Sequence, residues 1–237
     1  MALQNLPKHL HSFSQTLDTS PLYHLGRRYS SDGVFLPEPG NTVVCHIVKD
    51  SMSAEAVIDA RRRMQSLPES EKLAYTAVSS LHMTLFQGII EYRRHLPYWP
   101  ETITLDTPID DMTTLFKRRL HDFESPGPFQ VEVVGATPNG LEVAGISSQD
   151  RAVMKCWRDR FADIFGYRHP DHESYSFHIT FAYVLDRFSD DAIEIWQKGL
   201  AEIVENLQEC APVIELEPPA FCSFNDMNHF EKLQVFE

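Results

Sequence analysis

The 237-residue chain has no apolar run long enough to cross a membrane, and the stretch from Met1 to His9 lacks the continuous apolar core of a secretory signal. Both absences point to a cytoplasmic protein with no membrane partner. Cysteine is scarce and scattered. Cys45, Cys156, Cys210 and Cys222 share no paired spacing, which argues against a zinc ribbon and gives no reason to expect a disulfide framework. Positive charge is in deficit, with 21 Lys and Arg against 34 Asp and Glu and a formal net charge of −13. Duplex nucleic acid is held by neutralising its phosphates, so an acidic chain suits it poorly. A small phosphorylated or nucleotide partner remains open, as does an RNA end met by a local basic patch. The Gly-rich Lys-Ser/Thr phosphate loop, the nucleophile elbow and the dinucleotide fingerprint are all missing, and with them the enzyme classes they mark.

What the chain does have is a repeated pattern in an ordinary globular composition, 43% apolar. Two short runs, Ser80 to Phe86 and Ser176 to Ala182, each read as a buried strand. Successive side chains of a strand point to opposite faces, so His82 and Thr84 project together while Leu81, Met83 and Leu85 face the other way. His178 and Thr180 stand likewise against Phe177, Ile179 and Phe181. If the strands are neighbours, two imidazoles face one another across a cleft floored by two hydroxyls. That set suits acid/base chemistry on an oxyanion. A lone histidine on a strand is more often structural, and it is the repetition in matched contexts that favours function.

With these two His-apolar-Thr-apolar tripeptides the chain resembles the two-histidine phosphoesterase superfamily, which includes RNA 2′,3′-cyclic phosphodiesterases. The second motif and the stretch Tyr29 to Pro37 are similar to a microbial branch known only as a domain of unknown function. The resemblance runs from about Gly26 onward and implies an α+β fold. In it, duplicated β-α-β lobes form two facing antiparallel sheets around a central cleft, with helices outside. One two-lobed domain over 1–237 is expected, residues 1–40 forming an N-terminal arm or flap, and a monomer is expected.

The chemistry so implied is metal-independent hydrolysis of a cyclic phosphodiester: a 2′,3′-cyclic nucleotide, an RNA end or a related small cyclic phosphate. One neutral imidazole takes a proton from the attacking water, and the other, protonated, donates to the leaving sugar oxygen. Thr84 and Thr180 hydrogen-bond the non-bridging oxygens, where charge grows. The resemblance suggests His178 as base and His82 as acid, while the residues themselves leave the order open. Unperturbed histidines would give a bell-shaped pH profile centred near neutrality. No cofactor is called for. Several RNA-processing members carry a basic residue soon after the second motif, whereas here Ala182-Tyr183-Val184-Leu185 follows. Phosphate charge is left to Arg93, Arg94, Lys49, Arg27 or Arg28, and Tyr29, Arg93 and Tyr183 are candidates to line the cleft.

Read in order, residues 1–40 are punctuated by Asp32-Gly33, Pro37 and Pro39-Gly40 and form either a wrapped arm, the preferred reading, or a flap bringing Tyr29, Arg27 or Arg28 to the cleft. Thr42 to Val48 reads as a core strand, and Ser53 as the cap of a helix ending at Leu67-Pro68. Thr107-Pro108 opens a helix with Ile109, Met112, Phe116, Leu120 and Phe123 on one face. Asn139-Gly140 turns a hairpin, a helix from about Ser148 ends at Gly166, and Ser189 caps another. Three closing strands are expected, at 213–216, 220–224 and 230–236. Each motif strand is preceded and followed by a helix, as in a duplicated unit. Two rival readings use the same residues. A metal-dependent hydrolase would draw on His169, Asp171, His172 and Glu173. A catalytically idle nucleotide or RNA-end binding module would keep the cleft without needing both imidazoles.

Overall fold

In the computed structural model residues 6–237 are described, so the first five residues of the expected arm lie outside the described residues. From Gly40 the strands and α-helices follow as β1 Gly40–His46, α1 Met52–Gln65, β2 Leu73–Tyr75, β3 His82–Ile90, α2 Ile109–Arg119, β4 Val131–Thr137 and β5 Gly140–Gly145. They continue as α3 Ser148–Phe165, β6 Phe177–Thr180, β7 Ala182–Val184, α4 Asp190–Cys210, β8 Ala220–Asp226 and β9 His229–Val235. Serine hydroxyls open three helices: Ser51, Ser147 and Ser189 accept from the N–H groups of Ala54, Asp150 and Ala192. Ser53, expected as the first cap, instead lies inside α1 with its hydroxyl accepting from the Glu215 N–H. The expected Thr107 cap is likewise displaced, since Pro108 holds the N-cap position of α2 and no side chain caps it. Of the three closing strands two form; Ile214 and Leu216 make only isolated bridges, to Val131 and Ile47.

The class is α+β with antiparallel sheets, as expected. One large sheet runs in the order β4-β5-β6-β3-β1-β8-β9, and β2 pairs with β7 in a second, small one. The repeat is visible in the topology. β1-α1-β3-α2 and β5-α3-β6-α4 each pair their two strands antiparallel, and the two halves meet where β3 joins β6 through Met83 and Ile179. The lobes' sheets are therefore continuous along this seam, with the β2–β7 ribbon as a second link.

Strand alternation sorts side chains between two surfaces. Val43, Cys45, Met83, Leu141, Val143 and Ile179 enter one hydrophobic cluster with Val57, Met112, Phe116, Trp157, Phe161 and Trp196 from the helices. Burial of each such side chain contributes roughly 1.5–3 kcal/mol, so the sheet is held from its helical side. Its other side is left for the cleft. A bulge in β3 breaks the alternation where it matters. Val43 and Val44 of β1 pair with Phe86 and Thr84, so Leu85 is the extra residue, and both Leu85 and Phe86 enter the core. Gln87 thereby returns to the face that carries His82 and Thr84. Gly140, at φ +145°, opens β5 opposite Thr180, and a Cβ there would lie 2.1 Å from the Ile179 carbonyl oxygen. Only glycine lets β5 close onto β6 at this point.

Candidate active site

A cavity of about 660 Å³ opens on the cleft side of the sheet, and His82, Thr84, His178 and Thr180 all line it. Antiparallel pairing through Met83 and Ile179 sets His82 across from Thr180 and Thr84 across from His178, so each histidine stands opposite the other motif's threonine. Diagonal neighbours on one face of such a pair lie roughly 7–8 Å apart, a gap that the oxygens of one phosphate can bridge.

The two imidazoles are oriented by the same device. His82 Nδ1–H donates to the Ser80 carbonyl at 2.6 Å, and His178 Nδ1–H to the Ser176 carbonyl at 3.0 Å. Each bond fixes the tautomer and leaves Nε2 for a ligand. Beyond that the surroundings differ. Phe230 packs edge-on to His82 with ring centroids 4.3 Å apart, and the neighbour of His82 on β1 is His46. Burial, above all, pushes the His82 pKa down to about 3; the Ser80 carbonyl opposes this, and His46 and His178 add to it. The neighbour of His178 on β5 is a carboxylate, Glu142.

Of the other expected residues, Arg93 and Tyr183 line the cleft and Tyr29 does not. Tyr29 is 2% exposed, donates its hydroxyl to the Val184 carbonyl at 2.8 Å and lies 5.5 Å from the Tyr183 ring, so it braces the wall from behind. Arg94 pairs with Glu91 on the surface. The preferred reading of a merely wrapped arm is overturned, because Tyr23, His24 and Arg28 form part of the cleft wall. Arg28 grips the buried Glu38 through Nε at 2.6 Å and Nη2 at 3.0 Å, and also donates to the hydroxyls of Tyr92 and Tyr183, both at 3.2 Å. Burial and the charges of Arg28, Arg93 and Arg27 push the His24 pKa down to about 3. Gln87, Tyr92, Tyr98 and Phe230 also line the cleft and were missed from sequence. Gln87 needed the bulge, and the others sit in segments without a recognisable motif.

The loop proposed for metal binding splits in two. His169 donates Nε2–H to the Gln87 carbonyl at 2.9 Å and faces the cleft, whereas His172 meets Asp159 at 2.8 Å outside it. Asp159, His172 and Glu173 come close enough together to hold a cation. The two carboxylates are already engaged by Lys155 and Arg168, and His169 is not part of the group.

A sheet-borne pair of imidazoles with a hydroxyl beside each is a set able to exchange protons and to hydrogen-bond an oxyanion. The family described as 2H-phosphodiest, domain of unknown function (DUF1868), matches residues 28–142. A crystal structure of a conserved protein of unknown function, ATU0111 from Agrobacterium tumefaciens str. C58, is 49% identical, covers 98% of this chain and 100% of its own, and superposes with a TM-score of 0.96. The chain belongs to one family with that Agrobacterium protein, whose function is unknown; the family model covers just under half of the chain and includes His82 and Thr84 but not His178 and Thr180. A crystal structure of a phosphoesterase shares 13% identity over 85% of this chain and 100% of its own, with a TM-score of 0.42. No curated protein matches. No helix among the described residues is long and apolar enough to cross a membrane.

Proposed function

We propose that the protein hydrolyses a cyclic phosphodiester without a metal, using His82 and His178 as an acid/base pair and Thr84 and Thr180 to hold the phosphate. The observation that carries this reading is the crossed arrangement of the two motifs in one cavity, each imidazole with Nδ1 tied back and Nε2 left for substrate. The environments argue for a division of labour that reverses the order the resemblance suggested. His82 is held neutral by burial and is ready to take the proton of an attacking water. As an acid it would be almost wholly unprotonated near neutrality. His178, whose Nδ1–H hydrogen bond to Ser176 lies exposed, takes the remaining role and donates to the leaving oxygen. The anionic phosphodiester, once bound, strengthens His82 as a base because a negative charge beside an imidazole favours its protonated form. Substrate and protein together thus bring the pair towards a working state.

The test is a screen of nucleoside 2′,3′-cyclic phosphates, ADP-ribose cyclic phosphate and cyclic-phosphate RNA ends in excess EDTA. Turnover of at least one, unchanged by the chelator, is the expected result. Turnover abolished by EDTA and restored by Zn²⁺ or Mn²⁺ would instead favour metal chemistry, with Asp159, His172 and Glu173 as the first place to look.

A further inference from the structure

Two arginines line the cleft of this acidic protein, and they are used differently. Arg28 is spent on the wall: its guanidinium is shared between Glu38, Tyr92 and Tyr183. Arg93 has no carboxylate partner among the described residues. Its contacts are two long hydrogen bonds, Nη1 to the Gln87 side-chain oxygen at 3.3 Å and Nη2 to the Gly88 carbonyl at 3.4 Å, while Nε is buried with no acceptor. The guanidinium carbon lies over the Tyr98 ring, 4.4 Å from its centroid, and both side chains line the cavity. A guanidinium carries five N–H donors in a fixed fork suited to phosphate or carboxylate. Left half-buried without a counter-charge, it costs free energy unless an anion from solution completes it.

Arg93 also stands apart from the reacting phosphate. It is anchored to Gln87 and Gly88, three or more residues along β3 from Thr84, a distance of roughly 7–10 Å at the rise of a bulged strand. That is about one sugar unit, so one small molecule can present a charge at each place.

Resting on the hydrolytic reading above, we infer that the substrate carries a second anionic group, a phosphate monoester or carboxylate, which Arg93 binds beyond the scissile phosphodiester. Two neutral imidazoles flank this subsite. Burial together with nearby arginine charge pushes the pKa of His24 down to about 3 and of His169 to about 4. An anion seated between them would reverse part of that shift.

The experiment compares adenosine 2′,3′-cyclic phosphate with the same nucleotide carrying a 5′-phosphate, by calorimetric Kd and by kcat/KM, in the wild type, Arg93→Gln and Arg93→Lys. The expected result is a gain of at least tenfold from the added phosphate in the wild type, largely lost in Arg93→Gln and partly kept in Arg93→Lys. Because the comparison of the two ligands within the wild type needs no variant, misfolding of a variant does not blunt it. Equal affinity for the two ligands, or a gain that persists in Arg93→Gln, overturns the subsite. Turnover of both ligands without such a gain sinks the subsite alone. A phosphate-dependent gain in binding without turnover of either ligand supports the subsite and sinks the hydrolytic reading alone. Neither binding nor turnover contradicts both.

Discussion

At the scale of single residues, two chemically identical side chains are made different by what surrounds them. Phe230 and the strand partner His46 crowd the half-buried His82 and disfavour its charged form, whereas the Nδ1 hydrogen bond of His178 lies exposed. The profile of kcat/KM against pH reports groups of the free protein, so its acidic limb should follow His82 and lie well below 6.5, towards about 3. This displaces the bell centred near neutrality that unperturbed histidines would give. Phe230→Ala admits water to His82 and should move the acidic limb up. A wild-type acidic limb at or above 6.5 would remove His82 from the role of base. Thr84→Val and Thr180→Val should each lower kcat by about 10² if the hydroxyls meet charge that grows in the transition state. A rise in KM with kcat intact would reduce them to ground-state contacts.

These four residues were legible because strand alternation acts over two positions, and both tripeptides obey it. Arg28 and Gln87 were not. The value of Arg28 comes from Glu38, Tyr92 and Tyr183, partners up to 155 positions away, and Gln87 reaches the cleft through a bulge that no local pattern announced.

Among the elements, the arm is the one whose role the sequence left open, since loop-rich segments look alike whether they wrap or work. It is attached through Arg28 to the hydroxyls of Tyr92 and Tyr183, through Tyr29 to the Val184 carbonyl and through the Glu38 N–H to the Asn225 carbonyl, and the Arg28–Glu38 pair inside the arm, with Glu38 1% exposed, holds Arg28 in place for this. Breaking a buried pair by removing one charge costs about 3–5 kcal/mol. Glu38→Gln should therefore lower the urea midpoint clearly and loosen the Tyr92 and Tyr183 side of the cleft. A change within the scatter of surface substitutions would show that the pair is not structural. Helix existence and facing were readable from periodicity: Ile109, Met112 and Phe116 of α2 are buried as expected. Caps were less secure. Ser51 and Ser53 are equally good chemically, and only the position of the Glu215 N–H decides which of them is free to cap.

For the molecule as a whole, the order of elements around each motif strand already disclosed the duplication, but how the lobes join did not follow from it. A single strand contact between Met83 and Ile179, supported by the β2–β7 ribbon, turns two similar halves into one cleft. That cleft holds three buried or half-buried histidines whose charged forms are disfavoured, and this sets a pH dependence of stability. For His24, His82 and His169 the folded pKa is depressed to about 3, 3 and 4. Between those values and 6.5 the unfolded chain binds protons that the folded one refuses, so stability falls as pH drops below 6.5. The Tm should decline between pH 7 and 5, before the carboxylates titrate. A Tm flat across that range would mean that these imidazoles are not held neutral.

The account rests on the two histidines working as a unit on one phosphate, and a double-mutant cycle in metal-free turnover tests that most directly. His82→Ala and His178→Ala should each cost ~10²- to 10⁴-fold in kcat. The double variant should be little slower than the poorer single one, because removing either member already disables the pair. Losses that multiply in full, or single variants that keep their turnover, would contradict it.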